Sequence, residues 1–118
     1  MIGGFEDQTQ PLTDYEREVL LPIIIVGLKT KIGEDNAITS KVIERKLKEK
    51  RYTISGARLR KIINHIRING LIHCLMASSK GYWIEKDKEK VKTYINSLEQ
   101  RADAIQNVAN SLKAQLFL

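Results

Sequence analysis

The stretch Thr39–Gly70, TSKVIERKLKEKRYTISGARLRKIINHIRING, contains two apolar runs at helical spacing separated by a short connector. In the first, Thr39 or Ser40 offers an N-cap, and Val42, Ile43 and Leu47 define one face while Lys41, Arg45, Lys46 and Lys48 lie outside it. In the second, Ser55 offers an N-cap ahead of Leu59, Ile62, Ile63 and Ile66, spaced i, i+3, i+4, i+7, with Asn69-Gly70 as the closing C-cap. Two short helices joined by the turn Glu49–Ile54 are predicted. Between Lys41 and Arg67 there are ten Lys or Arg and only two acids. Net charge is −4 over residues 1–38, +8 over 39–70 and +2 over 71–118, so the chain's +6 comes from this one stretch.

On its N-terminal side, Thr13-Asp14-Tyr15-Glu16 matches a capping box, and Val19, Leu20, Ile23, Ile24 and Leu28 continue as an apolar helical face ending near Lys31. Pro22 lacks a backbone N–H, so this first helix should kink or restart there. Gly33, Asp35 and Asn36 accept turn conformations, and Ala37 to Thr39 reads as a strand stub. On the C-terminal side, Leu71–Met76 and Gly81–Ile84 read as two antiparallel strands with Ala77-Ser78-Ser79-Lys80 as the turn. The last segment alternates apolar steps of four and three at Val91, Ile95, Leu98, Ala102, Ile105, Ala109, Leu112 and Leu116, the a/d repeat of a coiled coil. A helix from Asp87 to Leu116 is about 45 Å long, against about 30 Å for the compact part before it, so part of it should project and meet a second chain.

Composition narrows the class. At 118 residues and 42% hydrophobic content, the chain supports one modest core. The single Cys74 excludes an internal disulfide; set in an apolar run, it reads as a buried thiol in a reducing cytoplasm. The apolar run Val19–Leu28 contains Pro22 and Gly27 and is about half the length a bilayer requires, and residues 1–10 lack the basic and apolar parts of a secretory signal. No Gly-rich phosphate loop, activated nucleophile or apolar carboxylate pair is present, so no enzyme is expected. His65, His73 and Cys74 are too few and wrongly spaced for structural zinc, and neither a cofactor nor a small-molecule ligand is implied.

The order helix, strand stub, helix, turn, helix, hairpin over Thr13–Ile84 resembles the winged helix-turn-helix DNA-binding family. More narrowly, Ile54–Arg67 followed by Gly70, Gly81-Tyr82 and a heptad helix is similar to small winged-helix proteins of phages and prophages. The resemblance implies a mostly α, α+β fold with a two-stranded wing, the winged domain covering 13–84; the polar, acidic N-terminus adds a flexible tail at residues 1–12 and the heptads a dimerisation helix at 85–118. The resemblance also implies that the third helix enters the major groove while the hairpin lies over adjacent backbone.

Helical geometry then selects contact candidates. With Leu59, Ile62, Ile63 and Ile66 turned inward, Ala57, Lys61 and Asn64 face away from the core, flanked by Arg60 on one side and by Arg58 and His65 on the other. Arg60 and Asn64 suit bidentate pairing with guanine and adenine. Lys41, Arg45, Lys46, Lys48, Lys50 and Arg51 are candidate phosphate contacts, with Ser55 and Gly56 at a helix N-terminus and Ser78, Ser79 and Lys80 at the hairpin tip. Of Tyr82 and Trp83, strand alternation lets only one point inward. The reading is a homodimeric, cytoplasmic duplex-DNA-binding protein, such as a transcriptional regulator or phage DNA-binding protein; the alternative is a winged-helix protein-interaction module in replication or packaging.

Overall fold

Helical backbone begins directly after Thr13, because the capping box forms: the Thr13 N–H donates to Glu16 Oε1 at 2.8 Å and the Glu16 N–H donates to Thr13 Oγ1 at 3.1 Å. The computed structural model describes residues 10–118 and divides them into two units, one running through Lys86 and one from Asp87 to Leu118. The reading of residues 1–9 as a flexible tail falls outside the described residues. Leu12, assigned to that tail, is instead buried in the core.

The first unit is α+β and mostly helical. Its first helix opens as a π-helical segment, Glu16–Leu20, and continues as α1, Leu21–Leu28. The change comes just before Pro22: the Leu21 N–H reaches Glu16 O, one residue beyond the α-helical partner. A 3₁₀ turn, Glu34–Asn36, leads to α2, Ser40–Glu49, capped by the Thr39 side chain, which accepts from the Val42 N–H. Helix α3, Gly56–Ile68, is capped in the same way by Ser55 accepting from the Arg58 N–H. Leu20 and Leu28 from the first helix and Leu59, Ile62 and Ile66 from α3 are almost completely buried and form the centre of the core.

Both α2 and α3 end in a Schellman motif. After α3, the Leu71 N–H bonds Ile66 O and Gly70, with φ 61°, supplies the left-handed residue. After α2, the Tyr52 N–H bonds Leu47 O, but the left-handed residue is Arg51, with φ 68°.

Strands β1, Leu75–Ser78, and β2, Gly81–Ile84, pair antiparallel with Leu75 opposite Ile84 and Ser78 opposite Gly81. The strand expected from Leu71 therefore starts four residues later. The α3 terminus pulls Leu71 back toward Ile66, Leu71 stays exposed, and Cys74, with φ 52°, makes a second reversal. Cys74 is half-buried rather than buried. Ala77 and Ser78 belong to β1, so the hairpin loop is only Ser79-Lys80. The reversal relies on Gly81, at φ 116°, where a Cβ would lie 2.4 Å from the Ile38 carbonyl oxygen.

That close approach exists because the preceding segment adds to the outer edge of β2. Ile38 exchanges both backbone hydrogen bonds with Tyr82, and Ile32 forms a parallel bridge to Ile84. The strand stub at Ala37–Thr39 is thus a single bridge at Ile38. Leu75, Ile84 and Tyr82 face the core; Met76 and Trp83 are buried on the other face, and the Trp83 indole N–H donates to Glu85 Oε1 at 3.1 Å.

The second unit is helix α4, Lys88–Gln115, with Asp87 as N-cap accepting from the Glu89 N–H at 2.9 Å. None of its residues is buried. No helix among the described residues is long and apolar enough to cross a membrane.

Candidate nucleic-acid interface

Helix α2 carries two rows of cations. A 100° advance per residue puts Lys41, Arg45 and Lys48 opposite the buried Ile43 and Leu47, while Lys46 and Lys50, four apart, turn toward α1. All five are exposed, as is Arg51 in the turn. None of the six has a carboxylate within 4 Å among the described residues. Their charge faces solvent uncompensated.

Helix α3 departs from the expected arrangement. Lys61, placed on the outward side by helical geometry, donates to Glu16 Oε1 at 2.7 Å, and Arg58 Nε donates to Glu16 Oε2 at 2.8 Å. The start of the first helix covers this flank, and the Tyr15 ring lies 5.3 Å from the Arg58 guanidinium carbon, in cation–π range. Two cations expected on the contact face are therefore shared with one interior carboxylate. Glu16 itself is 2% exposed. Burial pushes its carboxyl upward, but the Lys61 ammonium, the Thr13 backbone N–H and the Arg58 guanidinium outweigh that and hold it at about 2, down from 4.5. In the capping box Glu16 is only the carboxylate that reaches back to Thr13. Its larger role was signalled by its spacing, since Glu16, Leu20 and Ile24 are four apart and share one helical face.

The remaining candidates are brought together only in part. Arg60 is exposed, and Ala57 and Asn64 are half-buried on the same side of α3. His65 is half-buried, and its carbonyl and ring nitrogen both meet the Asn69 amide, at 2.9 and 3.3 Å, so it belongs to the helix terminus. Ser55 uses its side-chain oxygen as an acceptor in the cap, next to the first N–H groups of α3 at Gly56 and Ala57. At the hairpin tip, Ser78 and Ser79 are exposed, while Lys80 is paired with Glu34 at 3.3 Å.

No protein-family model, curated protein or solved structure matches this chain.

The heptad positions from Val91 to Leu112 lie on α4, and Leu116 is the residue directly after it. Ile95, Leu98, Ala102, Ile105, Leu112 and Leu116 are exposed, and Val91 and Ala109 are half-buried. Ile105 is 71% exposed and Leu116 80%, values ordinary for a surface lysine and costly for an apolar side chain left in water. Among the described residues no three His, Cys, Asp or Glu converge into a metal-binding group.

Proposed function

We propose that this chain is a winged helix-turn-helix protein that binds duplex DNA as a homodimer and serves as a transcriptional regulator in the cytoplasm. The observation that carries the reading is the set of six unpaired cations on α2 and its C-terminal turn, Lys41, Arg45, Lys46, Lys48, Lys50 and Arg51. A folded surface of this kind is suited to phosphates, and each contact made releases condensed counterions. Arg60 and Asn64 on α3 are the proposed base readers, Arg60 for guanine and Asn64 for adenine. Arg58 and Lys61 leave that role, because moving either to a base would take from the buried Glu16 carboxylate one of its two cationic partners. The hairpin lies over adjacent backbone, with Ser78 and Ser79 as contacts. In the dimer the a/d face of α4 packs against its copy, and two-fold symmetry sets an inverted-repeat site.

Fluorescence anisotropy with a labelled random duplex of about 30 base pairs, between roughly 50 and 200 mM salt, tests the reading. Six phosphate contacts correspond to a log–log slope of about −5, and Lys41→Ala or Lys48→Ala should each reduce its magnitude by about one on every sequence. Arg60→Ala and Asn64→Ala should instead reduce sequence preference. Absence of binding at the lowest salt would remove the DNA reading.

A second reading is favoured by α3 itself: Glu16 compensates Arg58 and Lys61, and Ala57 and Asn64 are half-buried, so its outward face is less available than a groove-reading helix requires. On that reading the basic α2 surface meets an acidic protein partner in replication or packaging, and the salt slope with random DNA is shallow.

A further inference from the structure

Between α1 and α2 the surface opens into a groove of about 220 Å³. Its floor is apolar, made by Ile24, Leu28, Ile43 and Leu47, all buried side chains of the core. Its rim is cationic, with Lys31, Lys46 and Lys50, and none of the three has a carboxylate partner among the described residues. Gly27 stands at the mouth. Gly27 is the last residue but one of α1, and no atom from elsewhere in the fold lies within 4 Å of where a Cβ would be. Close packing does not require it. Its effect is to leave the groove open.

Size and charge together define an occupant. A cavity of about 150 Å³ accepts benzene, so this groove has room for one aromatic ring or a short acyl chain, and not for a helix about 10 Å in diameter. An uncharged hydrocarbon would leave the lysines unused, and a purely polar anion would leave the apolar floor unused. We propose that the groove binds a small organic anion, an acyl chain or aryl ring bearing a carboxylate, with the apolar part between α1 and α2 and the carboxylate on Lys46 and Lys50. Lys46 in α2 and Lys50, the residue that follows the helix, are four apart and both line the groove. The groove exists whether or not the protein binds DNA, but it shares Lys46 and Lys50 with the proposed phosphate face, so a bound anion and duplex DNA would compete for them.

Titration of the ¹⁵N-labelled full chain with octanoate, followed by amide shift changes, tests this, with 1-octanol as the uncharged control. Saturable shifts confined to Gly27, Leu28, Lys46, Leu47 and Lys50 are expected, with a Kd of order 1 mM for octanoate and markedly weaker binding of octanol. The double variant Lys46→Gln/Lys50→Gln should lose about tenfold in octanoate affinity and leave octanol unchanged, and Gly27→Leu should weaken both by filling the mouth. Shifts clustered on α4, absence of saturation, or equal binding of octanoate to the wild type and the lysine double variant would each overturn the site. If Gly27→Leu does not fold, the lysine variant decides alone.

Discussion

Glu16 joins the start of the first helix to α3 through Arg58 and Lys61, and this makes part of the stability depend on pH. Its carboxyl titrates near 2 in the folded protein against 4.5 ordinarily, so the unfolded chain takes up the proton first as the medium is acidified. The stabilisation is therefore complete above pH 4.5 and is lost as pH falls toward 2. The gap between the two values corresponds to about 3 kcal/mol. Urea denaturation across this window should show the wild type losing about that much, while Glu16→Gln should be about 3 kcal/mol less stable at pH 7 and nearly flat below pH 4.5. Gly81 is the other residue without a substitute. In Gly81→Ala the new methyl meets the Ile38 carbonyl and Thr39 nitrogen, both backbone, so a loss of at least about 2 kcal/mol in thermal or urea unfolding is expected.

At the scale of elements, α2 and α3 are built alike, each with a hydroxyl N-cap and a Schellman terminus, and they differ in the left-handed residue: Gly70 after α3, Arg51 after α2. A left-handed conformation costs an L-residue roughly 1 kcal/mol relative to glycine. Arg51→Gly should accordingly raise stability by about 0.5–1 kcal/mol, read as an increase in Tm. On the DNA-binding proposal the same variant loses a phosphate contact and binds duplex more weakly, so the two readouts move in opposite directions. A gain in stability with unchanged DNA affinity would take Arg51 out of the interface.

For the whole molecule, the homodimer proposal rests on α4. Ile105, Leu112 and Leu116 are each more than half exposed, and a lone helix of about 42 Å gains little stability from propensity by itself. A second copy in a coiled coil would bury those side chains. Sedimentation equilibrium should give twice the 13.5 kDa of one chain. Ile105→Asp with Leu112→Asp should return a monomer, lower the helical circular dichroism, and leave the urea transition of the first unit in place. A monomeric wild type would remove the homodimer.

The features legible in the sequence are those whose partners lie within a few residues. Thr39 and Ser55 each cap a backbone N–H three residues on, Gly70 ends α3 through a bond within its last turn, and the Thr13–Glu16 box closes on itself. The heptads of α4 and the cations of α2 were equally visible, because periodicity alone places them on a face. Tertiary structure decided what periodicity cannot reach. Lys61 points outward by helical geometry, yet it meets a carboxylate 45 residues earlier in the chain, and Arg58 meets the same group from 42 residues away. The start of β1 moved to Leu75 because two left-handed residues and a helix terminus consumed Leu71 to Cys74. Local sequence determined the helices, their caps and the concentration of charge; which of those charges remain available to a partner was settled by the packing of the first helix against α3.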